Sequence, residues 1–463
     1  MNNQFRKEKD VLGEIEISED VYWGINTQRA IQNFQISGKT FPRTFLYALV
    51  QVKKACLLTN LELNQLDKDS GEAMKKAINE ILEENKFFDQ FPLDIFQSGS
   101  GTQINMNMNE VIANRANEIL GHPKGKKYPV HPNDHVNKSQ SSNDVIPTTM
   151  HVSTLTLLQQ KLIPAIKDLI ETLLQKQKEF KDIIKVGRTH LEDAVPIPLS
   201  MEFSVYERQL RVSEKRILEV MNELFCIPLG GTALGTGINA PKDFADKAVN
   251  FLSKLTGYNF TLNPVKAEGI SSHNTIVKAS SILRSLSLSL LKMANDIRWM
   301  NSGPRAGLGE LILPQNEPGS SIMPGKVNPT QSEMLIQVCI QVIGNDTTIA
   351  FAESHGSILD LNVTKPLMIA NLLESIELLS KAIISFNNNC LKKIQPNKKR
   401  INQLLEQNLM FVTSLTPKIG YDKAAEIAQE AFHTGKTLKE ILKEKKILSE
   451  EEIEDLLDVH KSI

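Results

Sequence analysis

Five long stretches of this chain repeat apolar residues at every third or fourth position, a pattern that points to packed helices. The clearest covers residues 275–301, where Ile276, Ala279, Leu283, Leu286, Leu290, Met293 and Ile297 form one stripe. It stops at Gly303-Pro304, because proline has no N–H with which to continue the helix ladder. At 1.5 Å per residue such a helix is about 40 Å long. Similar stripes occupy residues 151–181, 199–225, 331–353 and 366–390, the first with a kink expected at Pro164. Five such helices predict an all-α bundle. Leu286, Leu288, Leu290 and Leu291 make more than one face of the helix apolar, which predicts burial on both sides and a homo-oligomer.

Texture divides the 463 residues into three. An N-terminal domain at 1–140 mixes short helices with loops, and the long helices fill a central domain at 141–395. A small, charged helical domain at 396–463 follows, with a turn expected near Thr416-Pro417. Lys and Arg number 53 against 54 Asp and Glu, a net charge of −1 that gives no footing for a nucleic acid or a membrane surface. The cysteines, Cys56, Cys226, Cys339 and Cys390, lie far apart with no C-x-x-C pair, which argues against a local zinc or iron–sulfur site and fits a reducing compartment. The N-terminus has no apolar core of a signal peptide, and no run of eighteen apolar residues predicts a membrane span. A cytoplasmic protein is expected.

Four polar segments interrupt the helical texture. Residues 98–110 read S-G-S-G-T-Q-I-N-M-N-M-N-E and run into a helix near Val111. Gly99 and Gly101 permit tight turns, while Ser100 and Thr102 place hydroxyls where a helix N-terminus attracts an anion, or simply cap it. Asn105, Asn107 and Asn109 need a hydrogen-bond network if buried. Residues 131–144 read H-P-N-D-H-V-N-K-S-Q-S-S-N-D, with a helix expected after Pro147. His131, Asp134 and His135 give only weak metal-ligand spacing, leaving a solvated loop or a hydrogen-bonding surface for a small polar ligand.

Residues 185–193, K-V-G-R-T-H-L-E-D, bring Arg188, Thr189 and His190 to a turn after Gly187. His190 is either structural or an acid–base group near neutral pH. Residues 319–333, G-S-S-I-M-P-G-K-V-N-P-T-Q-S-E, set Lys326 in a Gly/Pro loop: a connector or a hinged lid. Taken together, the segments offer many neutral donors and a few cations, which suits a small carboxylate. The chain carries no Walker loop, no G-x-G-x-x-G after a strand and no G-x-S-x-G elbow. The residues alone point to an all-α enzyme moving protons on a small carboxylate, without naming the reaction.

These same segments resemble the class II fumarase family of the fumarase/aspartase superfamily. The match includes G-S-S-I-M-P-G-K-V-N at 319–328, Y-W-G-I-N-T-Q-R at 22–29, the S-G-T-Q-x-N-M-N and H-P-N-D blocks, G-G-T-A-L-G-T-G at 230–237 and I-G-Y-D-K-A-A-E-I-A near the C-terminus. It covers essentially the whole chain. S-G-T-Q at 100–103, G-R-T-H at 187–190 and K-V-N-P-T-Q at 326–331 favour a hydratase over the alternative, an aspartate ammonia-lyase. Departures are small: K-K-Y-P-V before H-P-N-D is a less basic lead-in than usual, and Ser332 stands where a cysteine or another small residue is common.

The resemblance implies reversible hydration of fumarate to L-malate through an aci-carboxylate, with no metal, iron–sulfur cluster or other cofactor. It implies a homotetramer with a twenty-helix core, five helices per subunit, and active sites each shared by three subunits. By motif position, Ser320 is the candidate base at C3, with His190 acting through water its rival. His190 with Glu333 is the candidate pair handling the water. Ser100, Gly101, Thr102, Ser141, Ser142, Asn143, Thr189, Ser321, Lys326, Val327 and Asn328 are implied substrate contacts, and His131, Pro132, Asn133 and Asp134 a second, weaker anion site.

Overall fold

In the computed structural model, which describes residues 4–461, the chain opens with an antiparallel hairpin, β1 (Phe5–Asp10) and β2 (Gly13–Ser18). Helices α1 (Ile25–Asn33), α2 (Arg43–Glu62), α3 (Lys68–Leu82) and α4 (Thr102–Ile119) follow. Next, α5 (Ser142–Leu157) passes through a π turn at Leu158–Leu162 into α6 (Ile163–Glu179). A second hairpin, β3 (Ile184–Thr189) and β4 (Glu192–Pro198), leads to α7 (Leu199–Leu224). Short α8 (Phe244–Thr256) and α9 (Lys266–Ser271) precede the long α10 (Asn274–Met300), α11 (Thr330–Gly356) and α12 (Lys365–Asn389). Five small helices, α13 (Lys398–Glu406), α14 (Thr416–Ile419), α15 (Tyr421–Thr434), α16 (Leu438–Lys445) and α17 (Glu450–Leu456), end the chain.

The fold is mostly helical, and each of the five stripes lies on a helix or, at 151–181, on the α5–α6 run. The chain forms two compact units. In the first (residues 1–163, 215–285 and 341–379), α2 packs against α3, α5 and α8, burying Phe45, Leu49 and Val52. In the second (residues 164–214, 286–340 and 380–463), the β3–β4 hairpin lies beside α13 and the 3-10 turn Leu409–Leu415. Phe411, Leu415, Ile427, Ile441 and Ile453 form a small core among the C-terminal helices.

Several local expectations change. The N-terminal region holds three helices of fifteen residues or more, not short ones. The asparagine trio lies inside α4, which begins at Thr102 rather than near Val111. α5 begins at Ser142, ahead of Pro147, because Ser141 and Asp144 form a reciprocal capping box that closes its N-terminus. At Pro164, where a kink is expected, the helical run goes on, preceded by a π turn at Leu158–Leu162. Thr416-Pro417 opens α14, with Pro417 in the first turn where no N–H partner is needed. Residues 184–198 form a hairpin whose turn falls at His190–Leu191, not just after Gly187.

Among the described residues one helix, α11, is long and apolar enough to cross a membrane by length and composition alone. Its inward side argues for a core helix. Asn345 donates to Ser375 Oγ at 3.0 Å, and Asp346 pairs with Arg284 at 2.9 Å, groups that lipid would strand. Its other side leaves Ile340 59% and Phe351 62% exposed in the single chain.

Candidate active site

In the first unit two helix N-termini meet. Gly101, with φ +76°, caps α4, a left-handed conformation that glycine adopts without strain. Gly99 meets a different demand: a Cβ there would sit 1.4 Å from Val363 O, and Gly99 O accepts from Lys365 N at 3.1 Å. The turn thus packs backbone to backbone. From it runs a line of hydroxyls, Ser98 to Ser100 at 3.0 Å, Ser100 to Thr102 at 2.8 Å, and Thr102 to Ser142 at 2.8 Å. Thr102 opens α4 and Ser142 opens α5, so two sets of N-terminal N–H groups and two helix dipoles serve one spot. That is chemistry for an anion.

The start of α5 is fixed by a buried carboxylate that sequence reasoning passed over. Asp144 accepts from Ser141 N at 2.9 Å, Gly230 N at 2.9 Å and Thr232 N at 3.0 Å. Burial pushes its pKa up to about 6 against the pull of those backbone donors and of Lys53. Asn143, one residue earlier, donates to Ala233 O at 3.0 Å. The glycine-rich segment at 230–237 is therefore the wall that holds Ser141, Ser142 and Asn143 in place. The S-x-x-D spacing was the readable half of this signal; the partners nearly ninety residues on were not.

The asparagine trio finds partners for its amide N–H groups, while among the described residues Asn105 Oδ1, Asn107 Oδ1 and Asn109 Oδ1 are buried without one. Asn137 Oδ1 takes three donors: Asn105 Nδ2 and Asn109 Nδ2 at 3.1 Å, and Lys53 Nζ at 3.0 Å. Asn107 donates to Gln90 O at 3.0 Å. Lys53 also reaches Gln140 Oε1 at 2.9 Å, and burial holds its pKa down to about 7. The segment leading into Ser141 is thereby tied to α2 and α4. Within it, His131 Nδ1 accepts from Asn133 N at 3.1 Å and Asp134 N at 3.3 Å, which places the proton of a neutral ring on Nε2. Burial lowers the His131 pKa; Pro132 is buried while Asn133 and Asp134 are exposed.

The second unit holds the other candidates. Thr189 and His190 are exposed at the tip of the β3–β4 hairpin, where His190 and Leu191 take φ +58° and +66°. Two consecutive positive φ values define the tight turn that matches strand twist. The loop at 319–328 is closed at its base: Gly319 N donates to Lys326 O at 2.8 Å, and Asn328 Nδ2 to Gly319 O at 2.6 Å. A Cβ on Gly319 would meet Lys326 O at 2.6 Å. Ser320 Oγ accepts from Ile322 N at 3.3 Å and Met323 N at 3.0 Å. Two N–H donors aimed at one hydroxyl oxygen favour its deprotonated form. Ser321, Lys326 and Val327 are exposed, and Glu333 sits in the first turn of α11.

Among the described residues, the side chains of His190, Lys326 and Glu333 have no hydrogen-bond or ion-pair partner, so within one chain His190 and Glu333 are not paired. The first unit brings Ser100, Gly101, Thr102, Ser141, Ser142 and Asn143 together; the second presents Thr189, His190 and the 319–328 loop. A further buried carboxylate, Glu310, stands behind the hairpin, bonded to Arg188 at 2.8 Å, and nothing in the sequence pattern marked it.

Comparison with known proteins gives the kinship. A family model described as lyase matches residues 13–344, and one described as fumarase C C-terminus matches residues 411–461. The chain is 50% identical over 459 residues to a fumarate hydratase class II of Rickettsia prowazekii, covering 99% of each. It is 48% identical over 454 residues to one from Thermosynechococcus vestitus, covering 98% of this chain and 97% of that one. The crystal structure of a recombinant class II fumarase from Schistosoma mansoni superposes with a TM-score of 0.95 at 37% identity, over 98% of each chain.

Proposed function

We propose that this chain, which belongs to the class II fumarase family, catalyses the reversible, stereospecific hydration of fumarate to L-malate. The observation that carries the reading is the pair of helix N-termini meeting at Thr102 and Ser142, in a chain half-identical over its full length to fumarate hydratases. The aspartate ammonia-lyase alternative is not favoured, since the matched full-length relatives are hydratases.

In the direction from malate, Ser320 takes the C3 proton. The adjacent carboxylate becomes an aci-carboxylate dianion, and hydroxide departs from C2 with a proton from His190. Fumarate hydration is the reverse. Ser320 is a weak base until its oxyanion is stabilised, and the N–H groups of Ile322 and Met323 support that role. Charge that develops on the carboxylate is assigned to preorganised hydrogen-bond donors, since donors fixed beforehand stabilise it at no reorganisation cost. Those donors are Ser100, Thr102, Ser141, Ser142, Asn143, Thr189, Ser321, Lys326 and Asn328, with the backbone at Gly101 and Val327.

The site is completed between chains. We assign this chain as a cytoplasmic homotetramer with active sites shared by three subunits. Support comes from two sides. Among the described residues, His190, Lys326 and Glu333 are unpaired within one chain, which leaves His190 and Glu333 to pair across subunits. The long helices also keep exposed apolar residues, among them Leu288, Ile340, Phe351 and Ile384. The division at 1–140, 141–395 and 396–463 is retained as the functional one, supported at its end by the separate C-terminal core. His131, Pro132, Asn133 and Asp134 are assigned a second, weaker anion site, its donor the Nε2–H of His131.

The test is an absorbance assay of fumarate formation with malate and aspartate in parallel. Turnover with malate alone is expected; turnover with aspartate alone would overturn the reading.

A further inference from the structure

Resting on that reading, we propose that Glu310 is a positioning residue, whose buried carboxylate acts through Arg188 to hold the turn carrying His190 in its working geometry. The strands of the hairpin pair Thr189 with Glu192 and Arg188 with Asp193, and the register then slips between Val186 and Arg188. Gly187 occupies the slip, and a Cβ there would sit 2.5 Å from Val195 O, so no other residue lets the two strands approach so closely. A bulge re-aims the side chain that follows it. Here that side chain is Arg188, whose Nη1 meets Glu310 Oε1 at 2.8 Å.

Glu310 is itself immobile. It is 0% exposed, its N–H donates to Met300 O at 2.7 Å, and its carbonyl accepts from Asn397 N at 2.8 Å. Its second oxygen lies 3.3 Å from Lys185 Nζ, which in turn reaches Glu202 at 2.9 Å. Among the described residues, Arg188 is the one side chain of residues 188–193 with a hydrogen bond or ion pair to the rest of its unit. Immediately beyond come Thr189 and then His190 and Leu191, both in the left-handed region that L-residues occupy at a cost. A strained two-residue turn keeps its shape only if its flanks are fixed, and Arg188 is the flank. Buried ion clusters add little net stability over apolar packing, so stability alone is a poor account of two cations and two carboxylates behind this hairpin.

The test uses the full-length, assembled enzyme with Glu310→Gln, Arg188→Gln, the double variant and Arg188→Lys. Glu310→Gln is expected to lower kcat about 100-fold, the scale of a 1 Å misplacement of a catalytic group, while KM stays within about threefold. The double variant should be no worse than the worse single one, and Arg188→Lys should recover part of the loss. A folded Glu310→Gln enzyme with near-normal kcat, or losses that add in the double variant, would overturn the proposal. If Glu310→Gln does not fold, Arg188→Gln against Arg188→Lys decides by the same kcat criterion. A second readout needs no substrate: the rate at which diethylpyrocarbonate modifies His190 should shift at least about threefold in Glu310→Gln, since a displaced ring changes its exposure and partners. An unchanged rate overturns the positioning role even if the wild-type chain hydrates no fumarate, an outcome that would instead sink the proposed function.

Discussion

The hydroxyls of Thr102 and Ser142 stand 2.8 Å apart, each on the opening turn of its own helix. Neither helix needs the other for its cap: Gly101 serves α4, and the Ser141–Asp144 box serves α5. The hydroxyl pair is thus free to face a ligand. Thr102→Val keeps the shape and deletes one donor to a carboxylate, a bond worth about 1.5–3 kcal/mol. KM for fumarate should rise by about 10- to 100-fold in steady-state kinetics. A KM within twofold of wild type would remove Thr102 from the carboxylate contacts.

Ser320 makes a separate prediction. If its oxygen is the base, Ser320→Ala should cost kcat about 100- to 10,000-fold, the range for losing a positioned proton acceptor. KM and melting temperature should hardly move, because the loop is largely exposed and its base is closed by Gly319, Lys326 and Asn328 rather than by the serine. Near-normal turnover in this variant would transfer the base role to His190 acting through water.

Asp144 predicts a pH signature of stability. Its folded pKa is raised to about 6 from 3.8, chiefly by burial. Between those values the folded chain holds a proton that the unfolded chain has released. The contribution is therefore fully present below about pH 4 and is lost as pH rises through about 6. Across that window it amounts to roughly 3 kcal/mol, at about 1.4 kcal/mol for each tenfold change in proton affinity. Urea unfolding of Asp144→Asn between pH 4 and 7 should lack this slope while being less stable throughout, since an amide cannot accept from Ser141, Gly230 and Thr232 together. An identical slope in wild type and variant would contradict the assignment.

How much of this was legible beforehand depended on the range of the signal. The helix expected at 275–301 runs Asn274–Met300, and that expected at 366–390 runs Lys365–Asn389, because a stripe at helical spacing is written locally and repeatedly. The hairpin at 184–198 left no such trace: its strands are short, its register slips, and its turn uses His190 and Leu191 where Asn-Gly would have announced it. The site divided the same way. Thr102, Ser141 and Ser142 could be named from motifs, while Asp144 stood only as the end of an S-x-x-D spacing and was passed over. The Gly230–Gly237 block could be quoted as a motif, but its contacts to Asp144, like the carboxylate of Glu310, could not be foreseen, since the partners lie 86 and 122 residues away in sequence.

The exposed stripe of α11 has a practical meaning for anyone who dilutes this protein. A lone chain would present Ile340 and Phe351 to water along a helix greasy enough to suit lipid. Association with its own kind would cover that stripe, and mass action makes such association depend on concentration. If the active site is shared between chains, as proposed, activity should fall on dilution as the assembly dissociates.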